Sequence, residues 1–219
     1  MGLDMYLERA KRIDGATVKE IRIAEEFFGW AVDAYKEYTM EEWCGIPENE
    51  VNKKVVINYI DEYKTRYCTW DTEHEYGHSR IFDEVGYWRK ANQIHAWFVK
   101  NVQNGYDDCK EYEVSEEQLE ELLDICKRVK DSSKLVKGKI ANGETYKNGR
   151  WETVWEDGEY IEDPTIAKEL LPTASGFFFG GTEYDQWYME DINHTIDVLT
   201  KVLEETDFDK EIITYSSSW

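Results

Sequence analysis

The stretch Ser115-Glu116-Glu117-Gln118, followed by Leu119, Leu122, Leu123, Cys126 and Val129, constrains the fold more than any other part of the chain. Serine with glutamine three residues later forms a capping box, in which each side chain satisfies an orphaned backbone N–H at a helix start. The apolar residues then recur in steps of three and four, which puts them on one stripe of a helix and obliges that stripe to find a partner surface. Beyond it the pattern changes. Asn142-Gly143, Asn148-Gly149 and Asp157-Gly158 are turn signals, and they separate short pieces such as Trp151-Glu152-Thr153-Val154-Trp155. Residues 134–163 therefore read as a β-hairpin segment. Both kinds of segment in one chain predict an α+β fold, with helices packed on a small mixed or antiparallel sheet and a β-hairpin inserted at about 134–163.

The rest of the chain extends this reading. Leu3 to Leu7 alternates apolar and polar residues as a strand does, and a turn is expected at Asp14-Gly15. Helical spacing runs from Val18 to Tyr38, and Thr39-Met40-Glu41-Glu42 offers a capping box for a short helix ending near Gly45 and Pro47. Val55, Ile57, Tyr59 and Tyr63 predict an extended segment over 54–70. A helix is expected over 86–102, with Tyr87, Ala91, Ile94, Phe98 and Val102 on the face that packs against the helix after Ser115. A short helix from Pro164 to Leu171, a buried strand over 176–179, a helix over 184–203 and an extended piece over 211–215 complete the expectation. No repeat or Pro/Ser-rich linker divides the 219 residues, so a single domain is expected.

Charge excludes one class of function. With 47 Asp and Glu against 26 Lys and Arg, the formal net charge is −21. Such a chain repels phosphodiester backbones, so direct nucleic-acid binding is not expected. The acids are dispersed, which reads as solubility; a functional use would be docking on a basic partner. Nine Trp, 15 Tyr and 8 Phe supply core area, and also platforms for stacking a base or anchoring a protein. No apolar run approaches the roughly 20 residues of a membrane helix, and the start lacks the pattern of a secretory signal. Cys44, Cys68, Cys109 and Cys126 are far apart without a CxxC pair, and read as reduced, buried or half-buried thiols. The expected location is the cytoplasm, with no membrane association.

Three constellations carry candidate chemistry. His74-Glu75-Tyr76-Gly77-His78 satisfies HExxH, whose two histidines share a helix face around zinc while the glutamate polarises bound water. Gly77 inside it, the polar run before it and the lack of a third ligand downstream favour a solvated acidic loop. The second is the cluster of Trp88, Arg89, Lys90, Asn92 and His95, with His95 beside the apolar stripe. A histidine there is more often a hydrogen-bonded core residue than a ligand contact. Third, Gly176-Phe177-Phe178-Phe179-Gly180-Gly181-Thr182-Glu183-Tyr184-Asp185 is an aromatic run in a glycine bracket leading into a helix, with Thr182 as its expected cap. Its amides are placed to receive an anion, although Glu183 and Asp185 oppose one, and a structural turn is the commoner reading. No nucleophile elbow, general acid or cofactor fingerprint is found, so no catalytic residue and no cofactor are assigned.

GLDMYL at the start, EVGYWRKANQIHAWFV with the following NGYDDCKEYEVSEEQLEELLDIC, and ELLPTASGFFFGGTEYDQWYMEDINHTIDVL together resemble a family of small uncharacterised proteins of tailed bacteriophages and prophages. The resemblance covers roughly 40% of the chain, mainly residues 84–126 and 169–203. The chain departs from the family at Gly181, where serine is expected, and in the extra segment 134–163. HEYGH also falls outside the shared blocks. What the resemblance implies is a phage accessory protein acting in the host cytoplasm; it transfers no catalytic residue.

The leading expectation is a host-defence antagonist that binds and sequesters a small nucleotide-like ligand. Trp88, Phe178 or Tyr184 would stack a base, Arg89 or Lys90 would meet a phosphate, and Asn92 or His95 would hydrogen-bond a base edge beside Thr182. One alternative is an acidic inhibitor that blocks a basic, nucleic-acid-binding host protein. The other is a zinc-dependent hydrolase built on His74 and His78. Self-association is compatible with any of these.

Overall fold

The computed structural model describes residues 2–27, 51–67, 81–147, 149–176 and 179–219, giving only the backbone at 26–27, 63–67 and 144. Its elements are β1 (Asp4–Lys11), α1 (Val18–Phe27), α2 (Lys53–Tyr67), β2 (Asp83–Arg89), α3 (Asn92–Asn101), β3 (Tyr112–Val114) and α4 (Glu116–Ser132). After these come β4 (Leu135–Lys147), β5 (Arg150–Ile161), α5 (Thr165–Leu170), α6 (Gln186–Glu205) and β6 (Glu211–Ser218). The strands form two small antiparallel sheets, one ordered β2-β1-β6-β3 and one made of β4 and β5 alone. This is the α+β fold that the sequence predicts. Among the described residues, no helix is long and apolar enough to cross a membrane.

The chain divides into two compact units, one made of Met1–Leu7, Val85–Thr206 and Tyr215–Trp219, the other of Glu8–Glu84 and Asp207–Thr214. In the second unit, Ile21 and Ala24 of α1 and Val56, Tyr59 and Ile60 of α2 share a core with Ile81 and Phe82. Residues 54–70 were expected to be extended, and α2 corrects this. Val56, Tyr59 and Ile60 stand at helical steps, and the Asn52 carboxamide accepts the Lys54 amide at 3.1 Å at the helix start. Position on one buried face outweighs the β propensity of the individual residues. Carboxylates tie this unit's loops down. Glu20 accepts the Thr17 and Asn52 amides, and Glu25 Oε1 accepts those of Ile81 and Phe82 at 3.1 and 3.0 Å.

The first unit holds the candidate residues. The Ser115 capping box forms as expected, and Leu119, Leu122, Leu123, Cys126 and Val129 are buried along α4, which packs against α6. The helix expected over 86–102 is instead a strand and a shorter helix. Gly86 and Trp88 point inward while Tyr87 and Arg89 point out, the period-two pattern of β2. Lys90 then adopts a φ of 64°, and α3 begins two residues later. The segment expected as a buried strand is irregular at Gly176 and Phe179, and its residues 177–178 lie outside the described residues. Helix α6 is capped by Asp185, whose carboxylate accepts the amides of Trp187 and Tyr188, and not by Thr182. Cys126 is buried as expected; Cys109 is exposed.

The expected hairpin is a single long ribbon, paired from Leu135↔Ile161 to Lys147↔Arg150. Of its three turn signals only that of Gly149, between Lys147 and Arg150, lies at the turn. Asn142-Gly143 falls within the register shift between Ala141 and Glu144, where Gly143 takes a φ of 79° that suits glycine. Gly158 lies inside β5, directly opposite Gly138. Neither position has room for a side chain: a β-carbon would come within 2.4 Å of Tyr160 Cε1 at Gly138, and of Ile140 Cδ1 at Gly158.

Candidate functional site

Asn92 joins two of the predicted segments. Its Nδ2 donates to Gly181 O at 2.8 Å and to Phe179 O at 3.2 Å, while its Oδ1 accepts the Ala174 amide at 2.9 Å. An irregular loop has no ladder to satisfy its peptide groups, and a buried carboxamide supplies both donors and an acceptor in its place. The Thr173 hydroxyl donates to Thr182 O at 3.0 Å and closes the same loop, leaving Thr182 exposed. Asn92, 2% exposed, is thereby committed to internal bonds.

His95 is equally buried. Its Nδ1 lies 2.8 Å from the Tyr215 hydroxyl and its Nε2 3.0 Å from Asp107 Oδ2, and Asp107 Oδ1 accepts the Trp219 indole N–H at 3.0 Å. A hydroxyl, an imidazole and a carboxylate in series have the connectivity of an activated nucleophile. Tyr215, however, is fully buried, stacked on Phe98 with ring centroids 3.9 Å apart, and burial pushes its phenol well above the ordinary range. No substrate reaches that oxygen, so the series acts as a structural tie between α3, the Asp107 loop and β6.

Trp88 lies in the core, and its indole N–H donates to Thr195 Oγ1 at 2.9 Å. Arg89 and Lys90 are exposed; Arg89 Nε is 3.9 Å from Asp4, and the Lys90 amide donates to Leu3 O. Nearby, Gln93 Nε2 donates to Asp191 at 3.1 Å, and burial is the main influence raising that carboxyl to about 6. Phe178, His74 and His78 lie outside the described residues. Among the described residues, no three His, Cys, Asp or Glu side chains are placed to hold a metal.

Tyr184 stands apart from these because it lines an open groove of about 300 Å³. Backbone pairing builds the groove: the Ile161 amide donates to Tyr184 O at 2.9 Å, Tyr160 bridges to Asp185, and Gln186 Oε1 accepts the Glu159 amide at 3.0 Å. The end of β5 is thus fastened to the start of α6. Trp155 and Tyr160 of the ribbon and Tyr184 of the turn are among its lining residues. The Tyr184 hydroxyl accepts the Thr173 amide at 3.2 Å, which fixes its ring. Lys168 Nζ lies 5.5 Å from the centre of that ring, and Lys139 and the carboxylates Glu183 and Asp185 complete the polar lining. Exposed rings with lysines at hand suit a flat ligand bearing negative charge.

Sequence reasoning found Tyr184 and missed the ribbon's contribution. The available signal was the spacing of Gly138 and Gly158, each four residues or fewer from an aromatic or a lysine of the groove. Compared with known proteins, the chain matches no family model, and no curated protein or solved structure shows significant similarity to it.

Proposed function

We propose that this chain is a phage-encoded accessory protein that captures a small nucleotide-like ligand in the groove between the ribbon and the Tyr184 turn, and antagonises host defence by sequestering it. The observation that carries the binding part is the groove itself, whose lining includes Trp155, Tyr160 and Tyr184 together with Lys139 and Lys168. Stacking on such rings contributes about 1–3 kcal/mol per base, whichever base it is. The phage part rests on the resemblance of residues 84–126 and 169–203 to phage proteins. The stacking role assigned from sequence to Trp88 passes in this proposal to Trp155, which is 61% exposed.

Isothermal titration with nucleosides and nucleotides tests the proposal. Binding that Trp155→Ala weakens at least tenfold supports it, and an absence of heat with every nucleobase compound sinks it.

One observation favours the reading as an inhibitor of a basic host protein. Tyr146 and Trp151, 61% and 66% exposed, are direct cross-strand partners toward the ribbon's turn, with ring centroids 5.4 Å apart. Exposed aromatic pairs of this kind anchor protein partners. A complex formed this way by a chain of net charge −21 would weaken steeply as salt is added.

A further inference from the structure

We infer that the groove selects a nucleotide with a single phosphate over its di- and triphosphate counterparts, an inference that rests on the nucleotide reading above. Counting the charges around the groove leads to it. Two ammonium groups line it, Lys139 and Lys168. Lys139 already has a partner, since its Nζ is 2.7 Å from Asp157 Oδ1. Lys168 is exposed, lies against the Tyr184 ring and makes no ion pair among the described residues. It is the cation open to a phosphate.

The opposite sign is as well represented. Glu183 and Asp185 both line the groove. Adding Asp157 beside Lys139 and Asp163, whose carboxyl feels the charge of Lys168, four carboxylates oppose two lysines, so the surroundings sum to −2. One phosphate placed at Lys168 gains an attractive contact. Each further phosphate adds negative charge beside Glu183 and Asp185 in a chain that carries −21, and meets repulsion. Size acts in the same direction, because about 300 Å³ is at the small end of ligand sites. Sites for nucleoside triphosphates bring several cationic groups or a metal to the chain of phosphates. Here the lining offers two lysines, one of them already paired with Asp157.

The test is isothermal titration of the full chain, without divalent metal, against AMP, GMP, CMP and UMP, the four nucleosides and the four triphosphates. The expected result is that one or more monophosphates bind at least tenfold more tightly than both the parent nucleoside and the triphosphate. Lys168→Gln should remove the advantage of monophosphate over nucleoside. A triphosphate that binds as tightly as its monophosphate, or a monophosphate no tighter than its nucleoside, overturns the inference while nucleobase capture stands. If nothing in the three series binds, nucleobase capture falls and this inference with it.

Discussion

The ring of Tyr160 lies over Gly138, so close that a β-carbon added at residue 138 would sit 2.4 Å from Cε1 and 3.0 Å from Cδ1. A groove wall therefore depends on the absence of a side chain one strand away. Gly138→Ala should displace the ring and cost about 1–3 kcal/mol, in the range of overpacking substitutions. Hydrogen exchange checks this, with faster exchange expected for ribbon amides from 135 to 161 and little change in α4.

Asn92→Ala should be among the most damaging substitutions in the first unit. It leaves the carbonyls of Phe179 and Gly181 and the amide of Ala174 without the partner that Asn92 gives them. Each buried group left unsatisfied costs about 1–3 kcal/mol, so a loss of at least about 2 kcal/mol is expected in urea denaturation. Asn92→Asp should not rescue it, because a carboxylate cannot donate to the two carbonyls.

Stability should fall as pH rises from about 4 to about 6 through Asp191. Burial first of all holds this carboxyl at about 6 against an ordinary 3.8, with Glu190 and Asp185 adding to the rise and Gln93 and His194 opposing it. Between those values the folded chain keeps a proton that the unfolded chain has released, so this contribution is full below the lower value and lost above the upper one. Asp191→Asn still accepts from Gln93. It should flatten this part of the profile and raise the thermal midpoint at pH 7, which melts at half-unit pH steps would record.

The contact with Asp107 fixes one proton of His95. A carboxylate only accepts, so Nε2 carries the proton facing Asp107. Nitrogen-15 spectra should show Nε2 protonated. Tyr215→Phe removes the hydroxyl bonded to Nδ1 and should cost about 1–3 kcal/mol in chemical denaturation, with the Phe98 stack preserved.

Local patterns were legible where neighbours in sequence are neighbours in space. The Ser115 cap and the Leu119 to Val129 stripe concern one helix and need no information from elsewhere. The break at Lys90 was not legible: Tyr87, Ala91, Ile94 and Phe98 keep helical spacing straight through it, and nothing about lysine announces a positive φ. The cluster of Trp88, Asn92 and His95 was visible as unusual, but burial turned its polar atoms toward a loop, a tyrosine and an aspartate of the chain itself. The groove needs the end of the ribbon to pair with Tyr184 and Asp185, some 24 residues further on. Periodicity does not report such pairing.

The order β2-β1-β6-β3 has a consequence for when the chain can fold. Strand β1 sits between β2 and β6, and its Lys11 side chain is bonded to Glu211, 200 residues away. During synthesis β1 leaves the ribosome before either neighbour, and even after β2 has been made its other flank stays open until β6 follows. Closing so long a loop is slow compared with forming α4 or the ribbon, which need only nearby residues. The helices and the groove can thus be in place while the central sheet is still a half-built edge, and in that interval, more than in the finished molecule, the chain is exposed to edge-to-edge association.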